Sequence, residues 1–258
     1  MISICFFVLT LVSVFAAPPR TQIVEGDPAL FCEMPSLVFL KIYRTYMMGY
    51  RMCGGTLISP SYVITAAHCF EGLIDRVEVN LGSLNKHETV QNVTSTTIFR
   101  HENYTRSKYL IENDIGLLRL EKPLENVECV FPVDMAAESD VFDNKTCIIA
   151  GWGRTGLQES SSDVLLKAAV PVVPIDECRN QSSLIISNGF ICAGDYIPGG
   201  ASICKGDSGG PLICPHENNM VLAGVISHGL DCHKEASLFT SIAYYREWID
   251  NIMNSVEQ

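Results

Sequence analysis

The run Cys204-Lys205-Gly206-Asp207-Ser208-Gly209-Gly210-Pro211 places one serine in a glycine-rich turn, where its hydroxyl and the nearby backbone N–H groups can face a substrate together. A serine hydroxyl is almost fully protonated at neutral pH and is a weak nucleophile. It needs a base to take its proton and donors to hold the oxyanion that forms. The chain offers a base upstream, in Thr65-Ala66-Ala67-His68-Cys69, and a carboxylate between the two, in Asn113-Asp114-Ile115-Gly116-Leu117-Leu118. Taken singly, the glycine run reads as a surface turn and His68 as a core histidine or metal ligand. Three motifs together, with cysteines beside two of them, point to acyl transfer instead.

These residues need a frame to hold them. Short β-rich runs alternate with turn signals: Leu37 to Tyr43, Thr56 to Ile58, Tyr62 to Thr65, Arg76 to Leu81 and Ile115 to Leu120 in the first half. Thr146 to Ala150, Leu165 to Val170, Pro211 to Cys214 and Val221 to Ile226 follow in the second. Many short strands at regular spacing predict an all-β sandwich or barrel. From Ile242 the pattern changes: Ile242, Tyr245, Ile249 and Ile252 recur with helical period, predicting an amphipathic helix over 241–254.

The 258 residues are 47% apolar, enough for a sizeable core. With 18 Lys+Arg against 29 Asp+Glu, the net charge of −11 argues against a nucleic-acid partner or an anionic membrane surface, both of which select basic patches. Residues 1–16 read as a signal peptide: an apolar run too short to span a bilayer, ending in small residues. A buried N-terminal strand is the alternative. Cys5 leaves with that segment, and the remaining ten cysteines, with no CxxC pair, suit disulfides in a secreted chain better than metal or redox chemistry. Asn92, Asn103, Asn144 and Asn180 head sequons, plausible glycan sites on surface loops.

The order His68, Asp114, Ser208 and the strings around them resemble the chymotrypsin-like (trypsin-like) secreted serine proteases, from Ile23 to the C-terminus. The resemblance implies two six-stranded antiparallel β-barrels with the active site between them and a C-terminal helix. The first barrel would supply His68 and Asp114, the second Ser208. His68 would act as base and then acid, Asp114 would orient it, and the backbone N–H groups of Gly206 and Ser208 would form the oxyanion hole. Four disulfides are implied, Cys53–Cys69, Cys147–Cys214, Cys178–Cys192 and Cys204–Cys232; Cys32 and Cys129 then pair by elimination. No cofactor or metal is expected, since the family's calcium loop looks absent: Ser83 stands where a liganding Glu would be.

Ile23-Val24-Glu25-Gly26 resembles the mature N-terminus of these proteases, making 17–22 a short propeptide and 23–258 the protease domain. In the family, a cut before this Ile frees an ammonium that pairs with the Asp before the nucleophile, here Asp207. A basic residue usually precedes the Ile; this chain has Gln22, with Arg20 two residues earlier. A Gln-tolerant activating protease, or a cut after Arg20 followed by trimming, both fit. The S1 base position falls on Ser202, where trypsin-like members carry Asp, so the resemblance implies P1 specificity for apolar or aromatic residues and not Lys or Arg. Ile203, Gly229 and roughly Ser237 would form the pocket walls, which favours Phe, Tyr, Leu or Met over Ala. Lys205 at the rim would favour acidic residues near the scissile bond. Ser227-His228-Gly229 would supply the edge strand for the substrate backbone. His228 replaces a usual Trp and would charge below about pH 6.5.

The expected partners are protein or peptide substrates, an activating protease and protease inhibitors. The competing reading is a protease-fold binding protein or venom-type effector with little turnover, motivated by Gln22, His228 and Cys32.

Overall fold

The structure, a computed structural model, describes residues 26–156, 159–182, 184–194, 202–229 and 236–255. The expected signal peptide and propeptide, Ile23, Cys232 and His233 lie outside the described residues.

Two antiparallel sheets make up the body. The N-terminal one runs in the order Gln91–Ser95, Ile74–Leu81, Leu37–Arg44, Arg51–Ser59, Tyr62–Thr65, Gly116–Arg119 and Thr97–Arg100. It curls so that its two outer strands, Gln91–Ser95 and Thr97–Arg100, follow one another with only Thr96 between them, one bent stretch serving both ends in keeping with the six strands expected. The C-terminal sheet does close. Leu166–Val173, Thr146–Gly151, Pro211–His216, Asn219–His228, Ser237–Ser241 and Phe190–Ala193 form a ring that returns through the pair Val172 and Ala193. The short strand Asp27–Pro28 adds to its edge beside Leu166 and Lys167.

Strand alternation explains how the halves join. Along Leu37–Arg44, Val38, Leu40 and Ile42 are buried in the main core, as a period of two requires. Leu37 and Phe39, on the opposite face, are also buried, in a cluster with Trp152 from the other half; the Phe39 and Trp152 rings meet edge to face at 5.4 Å. A strand with both faces covered reads as a continuous apolar run.

Backbone contacts tighten this seam. The Gly54 N–H donates to the Ser208 carbonyl at 2.8 Å, and the Thr65 hydroxyl donates to the Gly54 carbonyl at 2.8 Å. A Cβ on Gly54 would lie 2.9 Å from Gly210 Cα, so only glycine allows so close an approach.

The C-terminal helix spans Ile242–Ser255 and buries Ile242, Tyr245 and Ile249. Tyr245 also donates a 3.0 Å hydrogen bond from its hydroxyl to Asn113 Oδ1, next to Asp114. Disulfides join Cys32 to Cys129, Cys53 to Cys69, Cys147 to Cys214, and Cys178 to Cys192. Among the described residues, no helix is long and apolar enough to cross a membrane.

Candidate active site

Pairing between Tyr62–Thr65 and Gly116–Arg119 sets Thr65 opposite Gly116. His68 follows one strand on the 3-10 turn Ala67–Phe70, and Asp114 precedes the other, so the ladder brings both to one end of the sheet. Both side chains are buried. His68 Nδ1 lies 2.8 Å from Asp114 Oδ2, and the His68 backbone N–H donates to Oδ1 at 2.8 Å.

The second barrel completes the environment of Asp114. The ladder between Asn219–His228 and Ser237–Ser241 slips between Ile226 and His228, leaving Ser227 at a bulge. Bulges re-aim side chains beside functional sites. Here the Ser227 hydroxyl donates to Asp114 Oδ2 at 2.5 Å, and the Thr240 hydroxyl donates to the Asp114 backbone carbonyl at 2.8 Å. Burial alone would raise the Asp114 pKa. The facing His68 charge and the hydrogen bonds from His68 and Ser227 outweigh burial and hold it below the ordinary carboxylate value. The expected edge-strand role had not included this hydroxyl bond; the sequence shows Ser227 but not the bulge that turns it.

Ser208 sits in a turn closed by Asp207 N–H to Cys204 O at 3.2 Å and Gly210 N–H to Asp207 O at 2.9 Å. Gly206 adopts φ +108, and a Cβ there would lie 2.5 Å from Met52 Cε and 3.0 Å from Gly153 Cα. Both the conformation and the space call for glycine.

The Asp207 carboxylate accepts from the Gly153 N–H at 2.7 Å and the Cys204 N–H at 3.1 Å. Gly151 and Gly153 wall it in so tightly that a Cβ on either would fall within 2.4 Å of its oxygens. Burial pushes its pKa up to about 6, against the pull of those two N–H donors. Among the described residues no Lys, Arg or His side chain forms an ion pair with it.

His68, Gly206 and Ser208 line one cleft of about 620 Å³ between the sheets, along with Ile203, Lys205, Ser227, His228 and Gly229. Ser202 and Ser237, expected as pocket residues, are buried and are not part of its lining. Ile203 stands there instead. A Cβ on Gly229 would meet Ile203 Cγ1 at 3.3 Å, so the branched side chain packs closely beside Gly229. Among the described residues, the buried Ser237 hydroxyl has no hydrogen-bond partner. His228 is half-buried, and burial, then the charges of Arg106 and His68, lower its pKa. It therefore stays neutral further into acid than an ordinary histidine would.

His68 also lies near the sulfurs of Cys53 and Cys69, but these are joined to each other and offer no thiolate to a metal. The second cysteine of the Cys204–Cys232 pair is outside the described residues. Asn92, Asn103, Asn144 and Asn180 are all exposed.

Comparison with known proteins adds to this geometry. A family model described as Trypsin matches residues 23–249. Trypsin-1 of Salmo salar is 35% identical over 212 residues, 80% of this chain and 83% of that protein. Trypsin-1 of Gadus morhua is 34% identical over 250 residues, 96% of this chain and 97% of that protein. Trypsin of Squalus acanthias is 35% identical over 219 residues, 81% of this chain and 89% of that protein.

Proposed function

The chain belongs to the trypsin family of serine proteases, and from that premise we propose a secreted endopeptidase that cuts after apolar residues and not after Lys or Arg. Membership makes it a serine endopeptidase acting on proteins or peptides. In the proposed mechanism the Ser208 hydroxyl attacks the scissile carbonyl, His68 takes its proton and returns it to the leaving amine, and Asp114 holds the imidazole. The N–H groups of Gly206 and Ser208 hold the oxyanion. Replacing Gly206 with Ala forces a left-handed backbone to relax and moves one of these donors. The expected loss is about 10²–10³-fold in kcat with KM much less affected, read from initial rates on one peptide. Unchanged kcat would remove Gly206 from the oxyanion hole.

The uncharged pocket base carries the specificity reading. By the family resemblance Ser202 takes the place of the carboxylate that a cation-binding pocket needs; it lies buried beside the lining residue Ile203, and among the described residues lining the cleft there is no Asp or Glu. Burying a substrate Lys or Arg without a partner costs several kcal/mol, on the order of 3–5. The relatives bear the name trypsin, but Ser202 here favours an apolar P1. Ile203, reaching toward Gly229, narrows that preference toward aliphatic residues such as Leu and Met. Ile203→Gly is expected to raise cleavage after Phe and Tyr relative to Leu by about tenfold or more, as measured by kcat/KM ratios.

The remaining parts of the reading are a signal at 1–16, a propeptide at 17–22 and a mature domain from Ile23, with glycans on the exposed sequons. Asp207, caged and with a raised pKa, suits the new Ile23 ammonium as partner. The deciding experiment is hydrolysis of a P1-varied peptide library by protein beginning at Ile23, with Ser208→Ala as control. Serine-dependent turnover after apolar residues is the expected result. Cleavage after Lys or Arg overturns the pocket argument, and no turnover favours the binding-protein alternative.

A further inference from the structure

The cleft carries a charge pattern opposite to that of the chain. The whole sequence has a net charge of −11, but three cationic side chains, Arg51, Arg106 and Lys205, line the cleft. Among the described residues lining it there is no carboxylate. Arg51 opens the strand Arg51–Ser59, one residue before Met52, whose methyl group lies against Gly206. Arg106 belongs to the small hairpin strand Thr105–Arg106, and its charge acts on His228.

One carboxylate stands between the two arginines. Arg51 Nη1 lies 3.9 Å from Glu71 Oε2, and Arg106 Nη1 lies 3.9 Å from Glu71 Oε1. The Tyr104 hydroxyl also donates to Glu71 Oε1 at 2.7 Å, so Glu71 is held in place and shared. One negative charge facing two guanidinium groups leaves one positive charge unbalanced. Arg51 is half-buried, and burial, then the neighbouring Arg44, weaken its hold on its proton. A further anion near Arg51 would relieve that repulsion. Both arginine side chains remain partly open to solvent, 33% exposed for Arg51 and 38% for Arg106.

We propose that Arg51 and Arg106, with Glu71 fixed between them, read carboxylates on the two sides of the scissile bond, so that the enzyme selects acidic peptide segments. The proposal rests on the reading of this cleft as an endopeptidase's substrate groove. A chain paired along Ser227-His228-Gly229 passes Arg106 with its acyl side. Beyond Ser208 its leaving side runs over Met52 toward Arg51. Lys205 adds a third cation at the rim. An acidic substrate is drawn into a positive cleft on a negative protein, a focusing effect that salt weakens.

The test uses Ser208→Ala protein beginning at Ile23 and fluorescent peptides with one apolar P1 residue. Glu, Gln or Lys is placed at P3–P2 or at P1′–P2′, and affinity is read by anisotropy. Glu peptides are expected to bind about tenfold more tightly than Gln peptides at low salt, with the advantage largely gone at about 0.5 M NaCl. Arg106→Glu should reverse the preference on the acyl side only, and Arg51→Glu on the leaving side only. Equal affinity for Glu, Gln and Lys peptides, or a Glu preference untouched by either variant, overturns the proposal. A Glu preference in binding with no hydrolysis by the Ser208 form would support charge reading while sinking the endopeptidase reading, so the two failures are distinguishable.

Discussion

Protein that begins at Ile23 and carries Ser208→Ala is expected to lose about 10⁶-fold in kcat, and the Asp114→Asn variant about 10⁴-fold. The second loss follows from the hydrogen bonds around Asp114. Oδ1 accepts from the His68 backbone N–H, while Oδ2 faces His68 Nδ1 and accepts from the Ser227 hydroxyl. An asparagine keeps one acceptor. If its oxygen stays with the backbone N–H, its NH₂ points at both Nδ1 and the Ser227 hydroxyl. Nδ1 must then accept, so the ring proton moves to Nε2, the atom that should take the proton from Ser208. Initial rates with quantified active protein measure both effects. Ser208→Ala retaining more than about 1% of the rate would exclude Ser208 as the nucleophile.

The second large effect concerns Asp207. Its pKa of about 6 in the fold lies above the ordinary value of 3.8, so the protonated form is the one burial favours. The linkage sign follows. The stabilisation is fully present below about pH 3.8 and is lost as pH rises through about 6. The cost of keeping the group charged at neutral pH is on the order of 3 kcal/mol. An ammonium at Ile23 would reverse the sign by giving the carboxylate a buried partner. Protein beginning at Ile23 is therefore expected to react with a serine-directed reagent about 10²–10³-fold faster at neutral pH than the uncut chain. The gap should narrow toward pH 5, where Asp207 protonates in the uncut form. Asp207→Asn in the cut protein should remove most of the gain. Equal labelling of cut and uncut protein would rule out the ammonium switch.

Chemistry-bearing residues in short strings were the most legible part of this sequence. His68, Asp114 and Ser208 each sit in a compact motif, and their order was enough to place them in one site. The C-terminal helix was also readable, because Ile242, Tyr245 and Ile249 bury one face at helical period; its observed span, Ile242–Ser255, is one residue later than expected at each end. Strands with weak or interrupted alternation were not. Gln91–Ser95 is largely polar, and Phe190–Ala193 is short and includes a bridged cysteine. The short helix Ile175–Gln181 contains Cys178, bridged to Cys192, and presents no apolar stripe long enough to read.

Within the site, two features were invisible for a physical reason. Ser227 reaches Asp114 only because a bulge turns it, and bulges leave no periodic trace. Lys205 was foreseen at the rim, but Arg51 and Arg106 join it there from positions that no local window contains. Ile203 was foreseen as a pocket wall, but its close packing beside Gly229 depends on two segments that lie far apart in the sequence.

The seam at Gly54, Thr65, Ser208 and Gly210 sets how this enzyme fails. On the proposed mechanism neither half of the molecule is a fraction of an enzyme, since one holds His68 and Asp114 and the other Ser208. A slight parting of the halves, with each sheet still folded, would carry Ser208 away from His68. Loss of function on heating or in denaturant should therefore precede loss of secondary structure. The working temperature should then follow the contacts between the halves, the glycine approach at Gly54 together with the Phe39 and Trp152 rings and the hydrogen bonds to Asp114, more closely than the packing within either sheet.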